Sequence, residues 1–453
     1  MGIPPSIDKA LNPTVARDRG AARLLDRRLS FGDAQRHSVI PGLLQLPVNH
    51  GTLRAADVRR VTLCGAVRSY FKTVQEPAAM TTERDHRIDF FRGLALIFIF
   101  WDHVPHNPMG QITLRNFGFS DAAEIFVFLA GYAAVLAYGK ILARDGYLIA
   151  CVKILRRAWV LYVVHIFLLA MLMGIVFFAN SHVETRDLVE EMGLHHFITN
   201  PQQALTDELL LRFKPNLMDP LPLYIVLLAG LPLVLPMLVR KAWAVVAVSL
   251  TVYLLAPSFG WNLAAIKDGV WYFNPVTWQL LFVLGGAAAI HGQKPRSVET
   301  RPLTRQPLFV GAAMYAVLAG VITVSWRWPE IHDAVMPTML SNLLYPISKT
   351  DLSPVRLLHF LALAYVTAKL LPDTGWTQHW LARQCSRMGR YSLEVFCLGV
   401  LLAPLADMVN ALTDDAFAMQ IFTALVGAGL MGLLAVWLEF NKRLTRSPQN
   451  AVA

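Results

Sequence analysis

Ten separated stretches of this chain are apolar over close to the length that carries a helix across a bilayer. They lie at 88–106, 121–143, 157–179, 220–239, 242–257, 275–291, 307–328, 354–371, 390–408 and 417–439. A span needs about 20 residues, since each adds ~1.5 Å to a crossing of ~30 Å. A backbone in hydrocarbon must satisfy its own hydrogen bonds, so runs of this kind are helices. Charged residues are only 16% of the chain and hydrophobic ones 55%, where soluble domains carry about a quarter charged. The fold class that follows is all-α, a polytopic integral membrane protein with about ten transmembrane helices. The net charge of +10 does not argue for nucleic acid, because residues 1–79 hold 12 Lys/Arg against 6 Asp/Glu and supply much of it.

Residues 1–79 are Arg-rich, without a sustained helical period and without the apolar core of a secretory signal. They are expected to be a disordered extension or the product of a start assigned too far upstream, with Met80 as the true beginning; the second reading is preferred. Residues 80–446 form the membrane domain and 447–453 a cytoplasmic tail. Cys64, Cys151, Cys385 and Cys397 have no paired or metal-like spacing and read as buried or inert thiols.

Loop charge sets the orientation. Connections after even-numbered stretches hold Lys140, Arg144, Lys153, Arg156, Arg157, Arg240, Lys241, Arg383, Arg387 and Arg390. Those after odd-numbered stretches are poorer in cations and carry Glu184, Asp187, Glu190, Glu191, Asp207 and Glu208. Both termini are therefore expected in the cytoplasm. The segment 184–213 mixes acids with Leu and Phe at helical spacing, which suggests a surface helix.

Ionisable groups inside a span are costly and mark function by default. The first stretch holds Arg87, Asp89, Arg92, Asp102 and His103. Arg92 and His103 are eleven residues apart, so they share one face and stand about 16 Å apart along the axis. A snorkelling anchor is the bland alternative for Arg92, and a structural hydrogen bond for His103. The second stretch opens with Asp121 and Glu124 at a depth comparable with His103. Glu124 or Asp121 is positioned to orient the imidazole, though acids at a helix start also complement its dipole. Ala130-Gly131 and Gly285-Gly286 are small-residue packing signals. His165 sits mid-span as a helix–helix hydrogen bond or a cavity group. Trp271 and Asn274 suit sugar recognition, against the plainer reading of Trp271 as an interfacial anchor. Lys267 and Asp268 read as a solvated loop pair. Arg356 and His359 share a face at i, i+3, as an anion clamp or as a solvated cation beside a histidine. The sequence carries no metal-ligand set, Walker loop or nucleophile elbow.

The string RIDFFRGLALIFIFWDH, Arg87 to His103, resembles the first-helix signature of the membrane acyltransferases of acyltransferase family 3, where an arginine precedes a histidine at the same interval. FSDAAEIFVFLAGY, WNL…NPVTWQLLF, LSPVRLLHFLALAY and GRYSLEVFCLGVLL resemble the OpgC family more closely, over roughly 84–440. The resemblance implies an O-acyltransferase of the bacterial inner membrane. Its donor is a cytoplasmic acyl-CoA, succinyl-CoA in the family's named activity, and its acceptor a periplasmic glucan or other saccharide. No permanently bound cofactor, no metal and no nucleic acid partner are implied. The wider family's small-Ser-Gly motif reads Ala130-Gly131 here, which supplies no hydroxyl.

On that reading His103 takes the proton from an acceptor hydroxyl, with Glu124 and Asp102 as the accompanying carboxylates. Arg92, Arg156 and Arg157 meet the CoA phosphates, while Arg356, His359, Trp271 and Asn274 hold substrate. The chemistry requires a wetted path joining Arg92 to His103. A transporter or flippase of a glycan or lipid-linked substrate is the competing class, and a non-catalytic scaffold a third. Inverted repeats would favour a transporter, and none is visible.

Overall fold

The computed structural model describes residues 85–267, 269–292, 302–371 and 375–446. The expectations for residues 1–79 and 447–453, and for Cys64 and Asp268, lie outside the described residues. Within them the chain is helical and forms no strand; one isolated antiparallel bridge joins Ala264 to Val270.

Each of the ten apolar stretches is a helix: α1 His86–His103, α2 Ala122–Asp145, α3 Tyr147–Asn180, α4 Pro220–Arg240, α5 Ala242–Leu255, α6 Pro275–His291, α7 Pro307–Ser325, α8 Pro354–Leu370, α9 Ser392–Ala411 and α10 Phe417–Arg446. Six of these, α2, α3, α4, α7, α9 and α10, have both the length and the apolarity to cross a membrane. Helices α5 and α6 are apolar but shorter. Helix α1, with Arg87, Asp89, Arg92 and Asp102, and the 17-residue α8 fall outside both groups.

Local signals explain the boundaries. Asp85 caps α1 by accepting from the Arg87 amide, and the helix stops where Val104 turns extended before Pro105. Asp121 and Glu124 form a full capping box on α2, so two orphan amides are satisfied at that end. Gly146, at φ +87°, separates α2 from α3. Helix α3 begins ten residues before the expected 157. Lys153, Arg156 and Arg157 interrupt the apolar run, yet they lie exposed on the helix surface and leave its backbone intact.

Helices α2 and α6 cross at backbone contact. A Cβ on Gly131 would stand 2.0 Å from the Phe282 carbonyl oxygen, and one on Gly285 2.0 Å from the Phe128 carbonyl oxygen. The packing role read for these glycines is thus present. A second close crossing joins α1 to an amphipathic helix that the sequence reading did not anticipate, Trp380–Arg390. There Gly93 meets the Cys385 carbonyl and Gly389 the Asp89 carbonyl. Large apolar side chains stay exposed on α3 (Leu148, Trp159, Phe167), α7 (Leu308, Met314, Val317) and α10 (Phe422, Leu433, Trp437). Faces of this kind match a lipid surface.

The connection 181–219 is not the single surface helix expected from 184–213. It folds as three short helices, Leu188–Glu191, His195–Thr199 and Pro201–Leu209. Leu188, Leu194 and Ala204 are fully buried with the acid Glu208. Two of the acids that looked like a solvated face are internal instead, Glu208 beside His165 and Asp207 beside His196.

Candidate functional site

His103 closes the last turn of α1 with its Nδ1 2.5 Å from the carbonyl oxygen of Ile99, one turn back. A carbonyl only accepts, so this contact needs Nδ1–H and leaves Nε2 as the lone-pair nitrogen. The ring borders a cavity of about 500 Å³ that is also lined by Asp102, Arg212, Lys214, Asp219 and Tyr272. Asp102 accepts from the Thr113 hydroxyl at 2.6 Å, with the Arg115 guanidinium 3.6 Å away. A histidine thus stands with carboxylates, an ammonium and a phenol around one concave space.

Glu124 does not orient His103, as the sequence had suggested. It is fully buried and accepts from Arg356 Nε at 2.8 Å, with Arg356 Nη2 at 2.6 Å. Asp121 binds Arg356 at 3.1 Å and Lys349 at 2.6 Å. These two acids and two cations lock the start of α2 to α8 and to the chain before it. Burial pulls the Lys349 ammonium down, but the Asp121 carboxylate outweighs it and holds it above the usual lysine range. The expected anion clamp at Arg356 is therefore already filled by protein carboxylates. His359 is likewise internal: its Nδ1 accepts from the Ser120 amide at 3.3 Å and lies 2.7 Å from the Ser120 hydroxyl.

The expected sugar contacts are corrected in the same way. Asn274 caps α6 by accepting from the Val276 amide, and its amide group donates to the Trp261 carbonyl and to Asp351. Trp271 is buried, and the Lys214 ammonium lies 3.9 Å from the centre of its ring. Trp271 thus holds a cation at the cavity wall and is not free to stack on sugar. Burial lowers the Lys214 pKa to about 8, partly offset by the carboxylates of Asp219 and Glu208. Burial raises Asp219 to about 6, against the pull of Lys214. Lys214, Asp219 and Tyr272 are functional candidates that the sequence reading missed. Nothing in its local spacing marks Lys214, because its partner Trp271 sits on a remote connection.

At the other end of α1, Arg92 Nη2 donates to the Ser392 hydroxyl at 3.0 Å. Around it Arg390 lies 3.5 Å from Asp89, and Arg387 2.7 Å from Glu439. Arg156 and Arg157 are exposed on α3, and no described contact joins them to Arg92. Between Arg92 and His103 the required path is narrow. Leu96, Phe100, Phe396, Val400 and Met431 leave a gap of only about 10 Å³ on the inward side of His103. Leu217 borders both this gap and the larger cavity, and holds a left-handed φ of +78° that is rare for a branched residue.

His165 makes a helix–helix contact and does not open into a cavity. Its Nε2 stands 3.0 Å from Glu208 of the Pro201–Leu209 helix, both side chains fully buried. Arg186 at 3.1 Å from Asp407 and 2.7 Å from Asp415 ties the same connection to the end of α9.

A family model described as OpgC protein matches residues 84–443. The chain belongs to the OpgC family. It is a membrane protein of that family, and the match takes in α1 to α9, α10 as far as residue 443, and every residue of the cavity. A search of curated proteins returns no match, and neither does a search of solved structures.

Proposed function

We propose that this OpgC-family chain is an O-acyltransferase of the bacterial inner membrane, with about ten spans and both termini in the cytoplasm. It moves an acyl group, succinyl by the family resemblance, from cytoplasmic acyl-CoA to hydroxyls of a periplasmic glucan or related saccharide. The observation that carries this reading is His103: Nδ1 tied to the Ile99 carbonyl, and the ring beside a 500 Å³ cavity.

The chemistry then follows from the groups around it. Nε2 accepts the acceptor hydroxyl's proton as the oxygen attacks the thioester carbonyl, forming the C–O bond. The carbonyl becomes an oxyanion, and Lys214 and Tyr272 are the cavity donors suited to stabilise it. Collapse breaks the C–S bond, and the imidazolium returns its proton to the departing CoA thiolate. Arg92 and its cationic neighbours suit CoA phosphates at the opposite end of α1. The thioester arm reaches His103 only when the layer of Phe100, Phe396 and Met431 opens, so donor entry is gated by those side chains.

Mass spectrometry of periplasmic saccharides from deletion and complemented cells tests the reading. Complementation should restore an acyl mass increment on a glucan, and the increment identifies the acyl group. Saccharides identical in the two strains would refute it.

A further inference from the structure

A second concavity, of about 520 Å³, lies apart from His103 on the connection between α7 and α8. Its walls are Trp326, His332, Asp333, Thr338, Ser341 and Tyr345, with Met336 beside them. The polar groups form a directed chain. Trp326 Nε1–H donates to the Tyr345 oxygen at 2.6 Å, and the Tyr345 O–H faces His332 Nε2 at 3.2 Å. His332 Nδ1–H meets the Ser325 hydroxyl at 2.7 Å, and Ser325 donates onward to the Ile322 carbonyl. Every donor in that series has an acceptor, so the two aromatic rings are held rigid before any ligand arrives. A preset aromatic wall loses little entropy on binding.

The groove opens at the same end of the bundle as His103. The connection that leaves α1 directly after His103 passes beside it: the Phe119 ring lies 6.3 Å from Trp326, and Arg327, next to Trp326 but outside the lining, turns its Nη2 to the carbonyl and side chain of Gln111 at 3.4 Å. Its lining contains a carboxylate and no lysine or arginine, which disfavours phosphate or CoA. Partly exposed indole and phenol faces with hydroxyl, imidazole and carboxylate groups around them suit a neutral, hydroxyl-rich ring.

We propose that this groove is a secondary docking site for a neutral oligosaccharide, which holds a long acceptor while one of its hydroxyls enters the His103 cavity. The inference deepens the acyltransferase reading and rests on it for the role of the bound sugar. The full chain, purified in detergent, is titrated calorimetrically with neutral β-gluco-oligosaccharides and with inorganic phosphate. Acyl transfer is measured in parallel to a long glucan and to methyl glucoside. Ser341→Trp fills the groove without removing a member of the hydrogen-bonded chain, and Trp326→Phe keeps a ring while deleting the N–H to Tyr345.

Wild type should bind oligosaccharide and not phosphate. Ser341→Trp should weaken that binding about tenfold and raise KM for the long glucan equally, with kcat and transfer to methyl glucoside kept. Trp326→Phe should show a smaller loss in the same direction. His103→Ala should bind like wild type without transferring. Unchanged binding and KM in Ser341→Trp, or phosphate as the ligand lost, would overturn the proposal. Wild type that binds sugar sensitively to Ser341→Trp, yet transfers acyl groups to no acceptor, would instead refute the enzyme reading and leave the groove assignment standing.

Discussion

Replacing Arg356 by Met separates a structural lock from a substrate clamp. The side chain is 11% exposed and contacts Glu124, which is 0% exposed, at 2.6 Å and Asp121 at 3.1 Å. Removing one partner of a buried ion pair costs about 3–5 kcal/mol, because the other charge is left uncompensated. Lys349 remains 2.6 Å from Asp121, so only Glu124 is stranded and the expected loss lies near the lower bound, about 3 kcal/mol. That corresponds to roughly two orders of magnitude in the folded-to-unfolded ratio. The assay is the fraction of monodisperse protein surviving a heating series in detergent, for Arg356→Met, Glu124→Gln and the double variant. The double variant should be less damaged than the summed singles, since no lone charge is left. Arg356→Met that survives heating like wild type, while its KM for the acyl donor rises, would refute the structural assignment and restore Arg356 as a substrate contact.

Further outcomes follow from the cavity and the helix crossing. Lys214 has its pKa lowered to about 8 from the usual lysine value near 10.5. Its ammonium is therefore lost as pH rises through about 8, and initial rates of acyl transfer should fall over that interval. Folding runs the opposite way: burying the charged form costs stability below pH 8, and the cost disappears as pH rises toward 10.5, so stability is gained while the rate falls. Lys214→Arg should carry activity to higher pH, and Trp271→Leu, which removes the ring 3.9 Å from the ammonium, should lower the rate about tenfold. A pH profile unchanged in both variants would exclude Lys214 from the reaction. Gly131→Ala would place a Cβ 2.0 Å from the Phe282 backbone, and overpacking of this kind costs about 1–3 kcal/mol. Heating survival should drop, and wild-type survival would show that α2 and α6 separate freely.

What the sequence disclosed and what it hid divide along the range of the interactions. Apolar runs and small-residue pairs are local signals, so the ten helices and the Gly131 and Gly285 contacts were readable. His103 was readable as lying near the end of the first helix, although the helix stops at His103 and not at the expected 106, because Val104 turns extended before Pro105. Ion pairing was not. Glu124 and Arg356 belong to helices far apart in the chain, and Lys214 meets Trp271 only through tertiary folding. Arg356 and Trp271 therefore looked available for substrate, and Glu124 for His103, when each was already engaged. Glu208 is the sharpest case: in sequence it is one of several loop acids, and in the fold it is buried against His165. Helix Trp380–Arg390 escaped notice because its many cations break the apolar run that marked the other helices, although its apolar face packs closely on α1. The path between Arg92 and His103 also depends on side-chain packing, and there Phe100, Phe396 and Met431 close what a helical wheel leaves open.

The most direct measurement is the rate of acyl transfer from labelled acyl-CoA to glucan by the purified chain in lipid nanodiscs, comparing wild type with His103→Ala at equal folded protein. Loss of a positioned general base predicts a fall of about 10²–10⁴-fold, with oligosaccharide binding retained. Transfer by His103→Ala at the wild-type rate would contradict the account.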